Sequence, residues 1–305
     1  MTLLLSATLA MIGVVAISVS GSGPQSQAAS AQSTPRIVYV SVSDADGVPV
    51  SDLSVEDFVV KEGGKEREVT RARIGDTPMQ VAIIVDDNGT GIFRYGLTRF
   101  VERLEGRAEF SLSTVTGQMF KVVDYTSSLP AIQRGIVTLA ARPATNDGGQ
   151  LLAGIHETAK ELRRREARRP VIVVLTVGGE EHSTLRASYV LDALRDSRAS
   201  LNVLTVARSM LRTSAAVTRP SALLEESLNL GEVLGDGPKQ TGGRRDEIVA
   251  SAGMLSGLQQ LAEELAMQYV VEYSLPAGVR PSEKLSVTLR RSGLTVRAPT
   301  KVPTR

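Results

Sequence analysis

The sequence predicts an α/β protein: a doubly wound, mostly parallel sheet in the middle of the chain, with an antiparallel β-sandwich built from both chain ends. Three observations carry this. Residues 37–74 and 268–301 alternate apolar and polar side chains at every second position, the period of a half-buried strand. Between them, short Val/Ile/Leu-rich runs at 81–86, 108–115, 171–177 and 201–207 alternate with stretches of helical period, the pattern of strands joined by helical crossovers. QMFKVVDY, 118–125, follows the second run after only a Thr-Gly break, too short for a crossover, so it returns antiparallel at the sheet edge.

In chain order, LLLSATLAMIGVVAISV at 3–19 is an apolar run followed by the small-polar stretch GSGPQSQAASAQSTP, which contains a signal-peptidase-compatible Ala29-Ser30-Ala31. Residues 1–31 are therefore read as a signal peptide or an N-terminal anchor. IVYVSVSDADGVPVSDLSVEDFVVKEGGKEREVTRARI, with turns at Asp46-Gly47 and Gly63-Gly64, gives three or four antiparallel strands over 36–76. The α/β unit occupies 79–267. Its helical stretches include GIFRYGLTRFVERLEG and LLAGIHETAKELRRRE, and it closes on MLSGLQQLAEELAM, whose Met and Leu residues recur at core spacing. Residues 231–246 are polar and glycine-rich and are assigned no element. QYVVEYSL, EKLSVTLRR and LTVRAPTK supply the strands of 268–303. Three strands at either end are marginal alone, so pooling them into one sandwich with the α/β unit inserted is the better solution.

Composition narrows the function. The 305 residues are 42% hydrophobic with a formal charge of +2, which gives no footprint for nucleic acid. The basic run from Arg163 to Arg169 reads as a solvated helix end whose cations suit the helix dipole. With no cysteine, the chain has neither disulfides nor a lipid-attachment thiol. Gly89 and Gly91 follow a strand, but a third glycine of a dinucleotide fingerprint would fall at Arg94, and no phosphate-loop Gly-Lys-Ser/Thr occurs. The histidines, His156 and His182, lack partners at metal-ligand spacing, and neither G-x-S-x-G nor S-x-x-K is present.

The loop with most chemistry is VAIIVDDNGTG, 81–91. A buried strand ends there in Asp86, Asn88 and Thr90, oxygen-bearing side chains at alternate positions on the carboxyl end of a sheet, where α/β proteins gather ligands. Together with AEFSLSTVTGQMFKVVDY, NDGGQLLAGIHETAKEL and VIVVLTVGGEEHS, this loop resembles the von Willebrand factor type A domain: a strand-DxSxS loop-helix, an edge hairpin, a Gly-Gly helix start and a strand ending in LTDG. The flanks, VSDADGVPVSDLSVEDFVVKEGGKEREV and TGGRRDEIVASAGMLSGLQQLAEELAMQYVVEYSL, resemble the bacterial proteins called VWFA-related acidobacterial-domain proteins.

The resemblance implies a metal-ion-dependent adhesion site for Mg²⁺ or Mn²⁺. Asp86 matches the first ligand, and Asn88 and Thr90 replace the two serines. Gln150 stands where a threonine should be and Val177 where the last aspartate should be, with Asp87, Glu180 and Glu181 as the nearby carboxylates able to substitute. A degenerate site is expected, with no cofactor and with Asp86 and Asn88 making loop hydrogen bonds instead. The implied function is that of an exported, periplasmic or secreted, non-enzymatic protein-binding or scaffold module. It would meet a protein ligand on the loops 86–91, 147–151 and 177–184, with 208–220 as a further member, and would touch a membrane only if the N-terminal segment stays uncleaved. A Mg²⁺- or Mn²⁺-dependent adhesin is the alternative, and an exported hydrolase using the same rim is a third.

Overall fold

A computed structural model describes residues 33–139, 149–207, 224–249 and 251–304. The leading segment read as a signal or anchor lies outside them, as do 147–148 and 208–220 of the rim. Among the described residues, no helix is long and apolar enough to cross a membrane.

The front of the chain supplies β1 (Thr34–Ser43), β2 (Phe58–Glu62), β3 (Lys65–Arg67) and β4 (Val69–Ile74). The back supplies β11 (Tyr269–Leu275), β12 (Leu285–Leu289) and β13 (Thr295–Arg297). They interleave into two antiparallel sheets, β13-β1-β11-β4 and β12-β2-β3. The register sets Val38 opposite Val271 and Val40 opposite Tyr269, so one face of β1 and β11 enters a shared core with Phe58, Val60, Tyr273 and Leu285. Phe58 and Tyr269 pack with ring centroids 5.2 Å apart. Each end contributes half of that core, which is why neither end is a folded unit by sequence alone.

The α/β unit runs β5 (Met79–Asp86), α1 (Arg94–Arg103), β6 (Ala108–Thr116), β7 (Gln118–Thr126), α2 (Leu129–Thr138), α3 (Leu151–Arg164), β8 (Pro170–Thr176), α4 (Ala187–Ser197), β9 (Ser200–Val206), α5 (Leu224–Thr241), β10 (Arg245–Ile248) and α6 (Ser251–Ala266). Its sheet is ordered β10-β9-β8-β5-β6-β7. All neighbours are parallel except the edge pair β6–β7. Alternation along β5 shows the double winding directly. Val81, Ile83 and Val85 enter the core shared with α1, α2 and α6, while Ala82 and Ile84 enter the core shared with α3, α4 and α5.

One region departs from the sequence expectation. Residues 231–246, assigned no element, hold the second half of α5 and the start of β10, a sixth strand parallel to β9. The glycines that lowered the helical signal are there for close approach: a Cβ on Gly237 would stand 2.7 Å from Leu201 Cδ2, and one on Gly243 only 2.0 Å from Leu201 O. Tertiary packing therefore outweighs local propensity here.

Two groups of contacts tie α6 and its flanks to the sandwich. Buried Glu264 on α6 bonds Arg244 and Arg297. At the end of α6, Arg169 donates to Leu265 O and Gln268 Oε1, and Gln268 Nε2 donates to Ser41 Oγ on β1.

Candidate functional site at the carboxyl end of the sheet

Parallel pairing places Asp86, the last residue of β5, opposite Thr176, the last residue of β8. Thr176 Oγ1 donates to Asp86 Oδ2 at 2.7 Å and itself accepts Gly178 N at 2.9 Å, closing the two strand ends against each other. Burial pushes the Asp86 carboxyl above its ordinary range. The Thr176 bond opposes that shift, and the neighbouring Asp87 charge adds to it.

The loop after Asp86 is organised by Asp87. Its carboxylate, 1% exposed, accepts Gly89 N at 3.1 Å and Gly91 N at 2.7 Å, and its carbonyl accepts both Thr90 N and Thr90 Oγ1. Burial raises the Asp87 carboxyl too, against the pull of those amide bonds. This corrects the sequence reading, which gave loop bonding to Asp86 and Asn88. Asp86 instead bonds across the sheet, and Asn88 stands exposed with φ +52°, a left-handed conformation that Asn tolerates better than most residues. The missed signal was parity: if Asp86 faces the strand-end cavity, Asp87 faces the loop interior.

The third and fourth loops are joined by backbone. Gly149 N donates to Glu180 O, His182 N donates to Gly149 O, and Gln150 N donates to Gly117 O. Gly149 passes so close that a Cβ there would lie 3.7 Å from Asp86 Oδ1. Glu181, 1% exposed, turns its carboxylate onto the first turn of α3 and accepts Leu151 N at 3.0 Å, Leu152 N at 3.3 Å and Ser183 N at 3.0 Å. The N-terminal end of a helix is where an anion is best placed, and the chain fills that position with its own side chain. Burial raises the Glu181 carboxyl, with the bonds to Ser183 and the α3 amides pulling the other way. Gln150, the residue before α3, provides no side-chain cap. Nothing local marks Glu181 as the acceptor for the start of α3, because Leu151 and Leu152 lie 30 and 29 residues upstream.

These placements test the implied cation. Val177 is buried at 8% exposure with its amide donating to Asp86 O, so the third loop presents a hydrocarbon at the position of the expected carboxylate. Thr90 Oγ1 is turned to Asp87 O. Of the candidate substitutes, Asp87 faces its own loop, Glu181 faces α3, and half-buried Glu180 lies 3.5 Å from His182. Among the described residues, no cluster of three or more His, Cys, Asp or Glu could hold a metal ion. The donor set does not fit a hard divalent cation, which needs carboxylate-rich oxygen on several sides. His156, on α3, bonds Glu157 and does not reach this rim.

The parts now stand in one frame: β5, the Asp86 loop and α1; the β6–β7 edge hairpin; Gly149 leading into α3; and β8 ending at Thr176-Val177-Gly178. The α/β unit has the element order and sheet directions of a von Willebrand factor type A-like fold. No family model matches the sequence, and no curated protein matches it. Among solved structures, the chain is similar to proximal thread matrix protein 1 from the mussel byssus (12% identity, 68% of this chain and 49% of that one, TM-score 0.45). It is also similar to a conserved hypothetical protein, BatB, from Bacteroides thetaiotaomicron (12% identity, 61% and 98%, TM-score 0.40). A third is a von Willebrand factor type A protein from Catenulispora acidiphila (9% identity, 89% and 75%, TM-score 0.46). The match spans about half the length of the mussel protein.

Proposed function

We propose that this von Willebrand A-like chain is an exported, non-enzymatic binding or scaffold module. On this reading it takes a protein ligand on the loops 86–91, 149–151 and 177–184 without a divalent metal. Two observations together carry the reading: a buried valine, Val177, stands at the third-loop position, and Glu181, a carboxylate of the same loop, is bonded to three backbone amides of its own chain. What remains at the rim is a loop system closed by internal hydrogen bonds and ending in exposed Asn88, Thr90 and His182, with half-buried Glu180 beside His182. Such a surface suits recognition by shape and polar contact, the usual work of loops held on a rigid sheet.

A cation at about a hundred times its dissociation constant stabilises the folded state by roughly 2.7 kcal/mol, an easily read thermal shift. Mg²⁺ and Mn²⁺ are expected to give almost none. Val177→Asp restores a carboxylate at the end of β8, next to Thr176, and is expected to create Mg²⁺ affinity that Asp86→Ala removes. Calorimetry showing tight Mg²⁺ binding by the unaltered chain, lost in Asp86→Ala, would install the metal-dependent adhesin instead. Capture of a protein ligand should persist in a chelator and fail in Asn88→Arg. Turnover of ester, peptide or glycoside substrates would favour the hydrolase.

A further inference from the structure

A cleft of about 1360 Å³ lies at the other end of the α/β sheet from the 86–91 and 177–184 loops. Its walls are the amino ends of β8 and β9, the carboxyl ends of α3 and α4, the first half of β1 and the C-terminal tail. We propose that this cleft receives an acidic, extended segment of a protein partner, which adds as a strand to the open edge of β1.

The backbone makes the first half of the argument. Thr34–Val40 of β1 pair with β11 on one side, but on the other side β13 covers only Ser41–Ser43. After β13 the chain leaves β1: Thr300 N bonds Gln240 O, Lys301 bridges to Lys284, and Val302 N bonds Glu283 O. It returns only to let Pro303 O accept Arg36 Nη2. Along Thr34–Val40, then, outward-facing backbone donors and acceptors have no backbone partner among the described residues. An edge of this kind is a template for an added strand. The space beside it exceeds the 300–1,000 Å³ typical of small-molecule sites, as an inserted peptide requires.

Charge makes the second half. Cationic side chains outnumber acidic ones around the cleft. Two of its ion pairs, Arg163–Asp196 at 3.0 Å and Arg195–Glu283 at 3.2 Å, engage acids of the lining, whereas Arg168, Arg198 and Lys301 make no ion pair among the described residues. Arg169 is more constrained. It is 3% exposed and stacked on Tyr39 of β1 at 5.1 Å, its Nε has no partner, and its nearest acceptors are neutral. Burial pulls its guanidinium down to about 10, the direction expected of a cation short of a counter-charge. Capping α6 explains the bonds of Arg169 Nη2 but leaves its Nε and its exposed neighbours unused. A protective edge would carry its charge outward on the strand itself; here the exposed side chains of Thr34–Val40 are Thr34, Pro35 and Ile37, none of them charged, and Arg36 turns inward to Glu62. Pro35 has no N–H to offer, so the added strand would take its donors from the residues after it.

The test uses the full chain and a fluorescein-labelled peptide of alternating Glu and Val, read by polarisation against its Lys-Val counterpart and against a Glu-Val peptide N-methylated at alternate residues. The Glu-Val peptide is expected to bind, the Lys-Val peptide not to bind, and N-methylation to abolish binding because it removes strand donors. Arg168→Glu with Arg198→Glu, both exposed and outside any ion pair, should weaken binding at least about tenfold. Arg164→Glu, on the same helix end but outside the cleft, should leave it unchanged. Equal binding of the N-methylated or Lys-Val peptide, or no binding by Glu-Val, overturns the proposal. So does a dimer lost in the Arg168/Arg198 variant, which puts a second copy in the cleft, or peptide binding gained only after proteolysis near Gln32, which puts the leading segment there.

Discussion

Asp86, Asp87 and Glu181 are three buried or half-buried carboxyls on one rim, each raised above its ordinary range chiefly by burial. A carboxyl raised in the folded state contributes stability that is fully present below its unfolded-state pKa and is lost as pH rises through the folded value. The protein should therefore lose stability as pH rises above the ordinary carboxylate range. Asp86→Asn keeps an acceptor for Thr176 without the charge, so it should melt higher than the unaltered chain at neutral pH, with the gap closing in acid. Melting curves that run parallel across this range would show that Asp86 ionises at no expense to the fold. Glu181→Ala should act in the opposite sense. It leaves the amides of Leu151, Leu152 and Ser183 without their acceptor, and a cost of about 2 kcal/mol is expected in denaturant titration, with Glu181→Gln in between.

At the level of elements, α5 and β10 form the segment whose sequence says least about its structure. The helix carries Gly231, Gly235, Gly237 and Pro238, yet Val233 and Leu234 are buried beside α4 and β9, and Thr241 Oγ1 accepts Leu201 N as the chain turns. Its glycines work through contact distance. Gly243→Ala would drive a Cβ into the Leu201 carbonyl, so the turn must move and β10 must shift along β9. A loss of about 1–3 kcal/mol is expected, with faster hydrogen exchange at Arg245–Ile248 than elsewhere in the sheet. Unchanged protection of β10 would mean that the turn yields without disturbing the strand.

At the level of the whole molecule, the sandwich is a joint product of residues from the two ends of the described chain, paired across separations such as Val38 with Val271 and Ile74 with Tyr269. β11 lies between β1 and β4, and β12 is the partner of β2, so the front strands have no complete sheet without the back ones. Tyr269 alone receives Leu53 N on its hydroxyl and packs on Phe58. Ending the chain at Met267 should strip hydrogen-exchange protection from Thr34–Ile74, while β5 and β8 keep theirs because their neighbours lie inside the α/β unit. Protected front strands in that truncation would mean that they fold alone. α6 feeds directly into β11, so the last helix of the α/β unit and the central strand of the sandwich are continuous.

The sequence by itself determined the class and order of the elements. Period-2 alternation at both ends, the apolar runs at 81–86 and 171–177, the helical periods of α1, α3 and α6, and the short Thr-Gly break before β7 are local signals, and each element formed where they stand. It also determined which side chains sit at the strand ends, because Asp86 and Val177 follow from where the apolar runs stop. Only the tertiary structure decided where those side chains turn: Asp86 toward Thr176, Asp87 into its own loop, and Glu181 onto a helix start 30 residues away. It alone also decided that a glycine-rich stretch is α5 and β10. The reason is physical. Periodicity records which face of an element is buried, whereas the direction of a polar side chain and the tolerance for glycine depend on neighbours that arrive from distant parts of the chain.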